Sequence, residues 1–180
     1  METLLEKTIF QVDVLTLEIW IGGEAAAPLR ALRGARSSGE LRDSVASLAV
    51  HARDAWARIT FVRDVSLGQF VGGIEDNMRR AVEADLLSRA SAMLILDSIP
   101  LWFSVLEDRG IEDGDRLLYR LTGDTLHTRF FTRGGEILVD QTDIGPERRL
   151  SVFGSYFAPK SEFRKGLTNS LLESVSQGSR

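Results

Sequence analysis

The chain has 180 residues, 43% hydrophobic and 27% charged, the balance of one globular domain with a sizeable core. Its net charge of -4, from 22 basic and 26 acidic residues, offers no basic footprint for phosphates, so nucleic acid is not an expected partner. The absence of cysteine removes disulfides, thiolate nucleophiles and zinc–thiolate sites together.

Met1 to Lys7 carries Glu2 and Glu6 and no extended apolar core, so it does not read as a signal peptide. The expected address is cytoplasmic, or periplasmic if a leader has been trimmed. Thr8 to Ile21, rich in β-branched residues and alternating before it turns apolar on both faces, predicts one long strand near the centre of a sheet. Gly22-Gly23 ends it, and Glu24 to Arg36 reads as a short helix or an irregular excursion. Glu40 to Val50 predicts an amphipathic helix with Leu41, Val45, Leu48 and Ala49 on one face.

The stretch from Trp56 to Leu86 organises the rest. Ala57, Ile59 and Phe61 alternate with Arg58, Thr60 and Val62 as in a strand with two different faces. Ser66 with Gln69 three residues on then forms a capping-box pattern that opens a helix. Phe70, Ile74, Asn77, Met78, Ala81 and Val82 fall along one stripe of it, which sets the carboxamide of Asn77 among apolar neighbours. Asn77 either bonds a nearby strand end or contacts a ligand, and Phe70 is either a core aromatic or part of a cleft floor.

Ala92 to Leu106 is too short and too interrupted to cross a bilayer, and predicts a core helix that kinks or breaks before Pro100. Glu112, Asp113 and Asp115 lack a calcium-loop pattern and read as a solvated turn around Gly114. Alternation across Gly123-Asp124 and Gly134-Gly135 then predicts three antiparallel strands over residues 115–122, 125–132 and 136–140. Pro146 opens a helix through Tyr156, and a last helix runs from Ser161 to about Val175, leaving a frayed polar tail at 176–180. The expected whole is a single α+β domain over residues 1–175, a large antiparallel sheet with helices on one face.

Catalytic patterns are scarce. His51 and His127 belong to no metal-ligand spacing, Gly154-Ser155-Tyr156 lacks the second glycine of a nucleophile elbow, and no phosphate-binding glycine loop follows a strand. No metal, cofactor or catalytic residue is assigned.

Three pieces in order carry a resemblance. Lys7-Thr8-Ile9-Phe10, Phe61-Val62-Arg63-Asp64-Val65-Ser66 with its helix to Asn77, and Val152-Phe153-Gly154-Ser155-Tyr156-Phe157 are similar to the chalcone isomerase-like family. The resemblance implies an open-faced β-sandwich with an apolar cleft between the sheet and helix 66–86. In the true isomerases an arginine, a threonine and a tyrosine stabilise developing charge, while an asparagine and a serine or threonine bind a substrate hydroxyl. Carried over, the latter two are kept as Asn77 and Ser155, but the charge-stabilising positions read Leu5, Leu15 and Phe70.

Such donors are usually the largest catalytic contribution, so the chain reads as a non-catalytic member. Its expected ligand is a small apolar molecule, fatty acid or polyphenol-like, held by Leu15, Phe70, Asn77, Ser155 and Tyr156. The alternatives are an isomerase or lyase of altered chemistry on this scaffold, and an interaction module whose cleft is filled by its own side chains. A cleft of roughly 300 Å³ or more favours a ligand. Arg53, Arg58 and Arg63 are the candidates to replace the missing cation, Arg63 first because it shares the face of Ile59 and Phe61.

Overall fold

The computed structural model describes residues 6–12, 14–35 and 38–173, with residues 6–12 and 173 described as backbone. Six strands form one antiparallel sheet whose spatial order is the chain order. They are β1 Glu6–Val12, β2 Leu15–Ile21, β3 Asp54–Phe61, β4 Arg116–Thr122, β5 Thr125–Phe131 and β6 Ile137–Ile144. Period-two alternation sorts their side chains: Ile19, Ala57, Tyr119 and Thr128 lie opposite one another across four strands and are all buried.

The single long strand expected over Thr8 to Ile21 is instead a hairpin, Val12 facing Leu15 across a two-residue connection, and β1 lies at the sheet edge. The connection, Asp13-Val14, holds no glycine, whereas the hairpins at Gly123 and Gly135 use positive φ angles of 63° and 92°. Without that signal the two strands read as one.

The helices are α1 Gly23–Ala31, α2 Gly39–His51, α3 Leu67–Glu83, α4 Arg89–Trp102, α5 Pro146–Arg149, α6 Ser155–Phe157 and α7 Glu162–Glu173. A π-helical stretch, Leu150–Gly154, joins α5 to α6. One core cluster draws on the inner face of the sheet together with residues of α2, α3, α4, α6 and α7, among them Val45, Phe70, Ile99, Phe157 and Leu167. The other face carries Trp20 and Trp56, covered by the guanidinium groups of Arg58 and Arg120 at 5.3 and 4.4 Å. Helices on one face of an antiparallel sheet are the architecture expected from the sequence.

Two local expectations change. The break anticipated before Pro100 falls after Trp102, because Pro100 stands in the last turn of α4, where a missing N–H removes one hydrogen bond without ending the helix. Nor is α4 a core helix throughout: Ile95 and Ile99 are buried, but Leu94 and Leu101 are 70% and 74% exposed. The acidic turn is also more than solvated. Gly114 does take a positive φ of 87°, yet Asp115 is fully buried and accepts hydrogen bonds from Arg109 at 2.6 and 3.0 Å and from the backbone N–H groups of Glu112 and Arg133.

The tail at 176–180 and Leu5 lie outside the described residues. Among those described, no helix is long and apolar enough to cross a membrane.

Candidate functional site

Helix α3 supplies one wall of the site, and the sequence fixes where it starts. Ser66 accepts from the Gln69 N–H at 3.2 Å, and the Gln69 side chain accepts from the Ser66 N–H at 3.0 Å, so the expected capping box is formed. Its apolar stripe faces the sheet, with Phe70, Met78 and Ala81 buried. Phe70 is a core aromatic, edge-on to both Phe61 and Phe103 with ring centroids at 5.9 and 5.1 Å.

Between this helix and strands β2 and β3 lies a cleft of about 620 Å³. Leu15, Leu17, Ile59 and Phe61 line it from the sheet, Phe70, Gly73 and Asn77 from α3, and Tyr156 and Phe163 from the C-terminal helices. Gly73 leaves this space open: no atom stands within 4 Å of where its side chain would begin. Phe70 packs on Phe61 and Phe103, and Tyr156 on Phe163 at 5.3 Å, so each ring has its own neighbours rather than plugging the cleft against the other.

A second, smaller cavity of about 50 Å³ lies behind it. Ile74, Asn77 and Tyr156 belong to the walls of both, so the two spaces adjoin at α3 and α6. The structure thus brings Leu15, Phe70, Asn77 and Tyr156 together around the larger cleft. Ser155 faces only the smaller one, where its hydroxyl donates to the carbonyl of Val152 at 2.8 Å.

The smaller cavity contains groups that sequence reasoning missed: Tyr119 from β4, Asp143 from β6 and Arg148 from α5. Tyr119 was legible as inward-facing, since it stands two residues from both Leu117 and Leu121 and so shares their face of the strand. Asp143 was hidden because the strand reading stopped at residue 140, three residues before the inward position opposite Leu126. Burial pushes the Tyr119 phenol up, and burial with Tyr119 as neighbour does the same to Tyr156, so both are neutral donors at physiological pH.

Of the three candidate cations, Arg53 pairs with Asp124 at 3.3 Å, and Arg58 pairs with Glu18 on the opposite face of the sheet. Arg63 does line the cleft. So does Arg80, which the sequence reading passed over; it donates to Asn77 Oδ1 at 3.4 Å and pairs with Glu162 at 3.3 Å. His51 meets the Ser47 carbonyl at 2.8 Å, and His127 pairs with Asp140, both away from the two cavities. No group of three or more metal-ligating side chains is found among the described residues.

The antiparallel sheet, its one-sided helical layer and the cleft between them define an α+β fold of the chalcone isomerase type. A solved structure that shows it is that of the Arabidopsis thaliana fatty-acid binding protein AtFAP1, similar to this chain with a TM-score of 0.59 over 93% of this chain and 85% of that one. Sequence identity is 14%, so the likeness is one of fold. No protein-family model and no curated protein matches the chain.

Proposed function

We propose that the protein is a non-catalytic binder of a small apolar molecule, held in the cleft between β2, β3 and α3. The observation that carries this reading is the cleft itself: about 620 Å³ of space with an apolar floor of Leu15, Leu17, Ile59 and Phe61. Ligand pockets of soluble proteins fall in the range of roughly 300 to 1,000 Å³ and pair such walls with a few orienting polar groups. Asn77 and Tyr156 are those groups here. The similar fold of a fatty-acid binding protein supports the same ligand class.

Catalysis by the isomerase route is disfavoured by the side chains present. Leu15 and Phe70 occupy positions where charge would have to be stabilised, and neither has a hydrogen to donate to a developing oxyanion.

The test is a thermal-shift panel of saturated and unsaturated fatty acids, chalcones and flavonoids, with Asn77→Ala and Gly73→Trp alongside. A ligand that binds only the folded state stabilises it by about 2.7 kcal/mol at a hundredfold excess over Kd. A shift in the parent that Gly73→Trp abolishes supports the reading; no shift with any compound overturns it in favour of an interaction module.

A further inference from the structure

The small inner cavity is lined mostly by apolar side chains, with Asp143 and Arg148 among them. Asp143 and Arg148 pair through one oxygen and one nitrogen at 3.4 Å, and Arg148 stacks over Trp102 at 5.7 Å. Their remaining atoms do not. Asp143 Oδ2 and Arg148 Nη1 are both buried and have no hydrogen-bond partner among the described residues. Tyr119 and Tyr156 stand on the walls of the same cavity.

Polar groups buried without a partner are costly, about 1 to 3 kcal/mol each, and native structures seldom leave several around one space. About 50 Å³ is room for one or two water molecules at roughly 30 Å³ each. That volume suits a head group of a few atoms and excludes a whole ring.

The vacant valences specify its chemistry. Asp143 Oδ2 requires a donor and Arg148 Nη1 an acceptor. The ion pair has no net charge, so a carboxylate gains from Arg148 what it loses beside Asp143, and brings no hydrogen for Oδ2. A primary carboxamide or a hydroxyl presents both a donor and an acceptor and remains uncharged.

We propose that the inner cavity is the head-group chamber for the ligand of the outer cleft, and that Asp143 and Arg148 select a neutral donor–acceptor head over a carboxylate. The apolar body lies against Leu15 and Phe61, and the head passes Asn77 and Tyr156, the residues common to both spaces. This inference rests on the cleft-binding reading above, and the experiment separates the two.

Binding of dodecanamide, 1-dodecanol, dodecanoate and dodecane to the full chain is measured by calorimetry and by tryptophan fluorescence, Trp102 lying on the chamber wall. The expected order is amide and alcohol tightest, each about tenfold or more ahead of dodecanoate and dodecane, the scale of a hydrogen bond to a charged group. Arg148→Met lowers amide affinity about tenfold and leaves dodecane unchanged. Asp143→Asn makes the chamber cationic and reverses the order, so that dodecanoate overtakes the amide; a purely structural role for Asp143 does not produce that exchange.

Unchanged dodecane binding in each variant reports an intact cleft, and if a variant does not fold, the ranking in the parent protein decides. Equal binding of all four compounds leaves the cleft reading standing and overturns the chamber. Dodecanoate binding tightest in the parent overturns it too and directs the carboxylate to Arg63 or Arg80. Binding of none of the four overturns both.

Discussion

Phe70 meets Phe103 edge-on with ring centroids 5.1 Å apart. The contact ties α3 to the end of α4, and Phe61 completes the cluster from β3. Phe70 is therefore the residue by which the helix is fixed over the sheet. Replacing it by alanine should cost about 3 to 5 kcal/mol, the range for removing a buried phenylalanine, read as a fall in the urea midpoint. A loss under about 1 kcal/mol would mean that the cluster does not anchor the helix.

Asp115 links stability to pH. Burial alone would raise its pKa, but the bidentate Arg109 and two backbone N–H groups outweigh it and hold the carboxyl below its ordinary value. A depressed folded-state pKa contributes stability above the unfolded value of about 3.9, and the contribution is lost as pH falls through the folded value. Unfolding free energy should thus decline below about pH 4. Asp115→Asn should cost about 3 kcal/mol at pH 7, with the gap to the parent narrowing as the pH drops from 5 to 2. A gap independent of pH would contradict the assignment.

Gly73 separates stability from binding. Because open space surrounds its Cα, Gly73→Ala should stabilise α3 by about 0.5 to 1 kcal/mol and raise Tm by about 2 °C. The cleft loses only a methyl group's volume, so ligand affinity should stay within about threefold, a difference of less than 1 kcal/mol. Gly73→Trp places an indole in the cleft and should eliminate ligand binding while the protein remains folded, as followed by circular dichroism.

Ser66 holds the first turn of α3. Ser66→Ala removes the hydrogen bond from the Gln69 N–H and should cost about 1 kcal/mol. Amide exchange should accelerate at Gln69, with α7 unaffected. Protection unchanged at Gln69 would show that the cap is not what holds that turn.

Much of this was written into local sequence. The capping box, the α3 stripe, the inward Ile59 and Phe61 and the two glycine hairpins all follow from periods of 3.6 and 2 and from left-handed turn positions, which depend on neighbours a few residues apart. The break between β1 and β2 was not legible, because Asp13-Val14 lacks the glycine that marked the later turns.

By itself, then, the sequence determined most of the elements, the one-sided α+β layering and the cleft wall that carries Phe70 and Asn77. The tertiary structure decided what local pattern cannot encode. Arg148 follows β6 by one short turn and reaches Asp143, but Tyr119 and Tyr156 come to the same cavity from strand and helix 37 positions apart. Whether a buried charge finds a partner, as Asp115 does in full and Asp143 only in part, depends on which distant atoms packing places beside it.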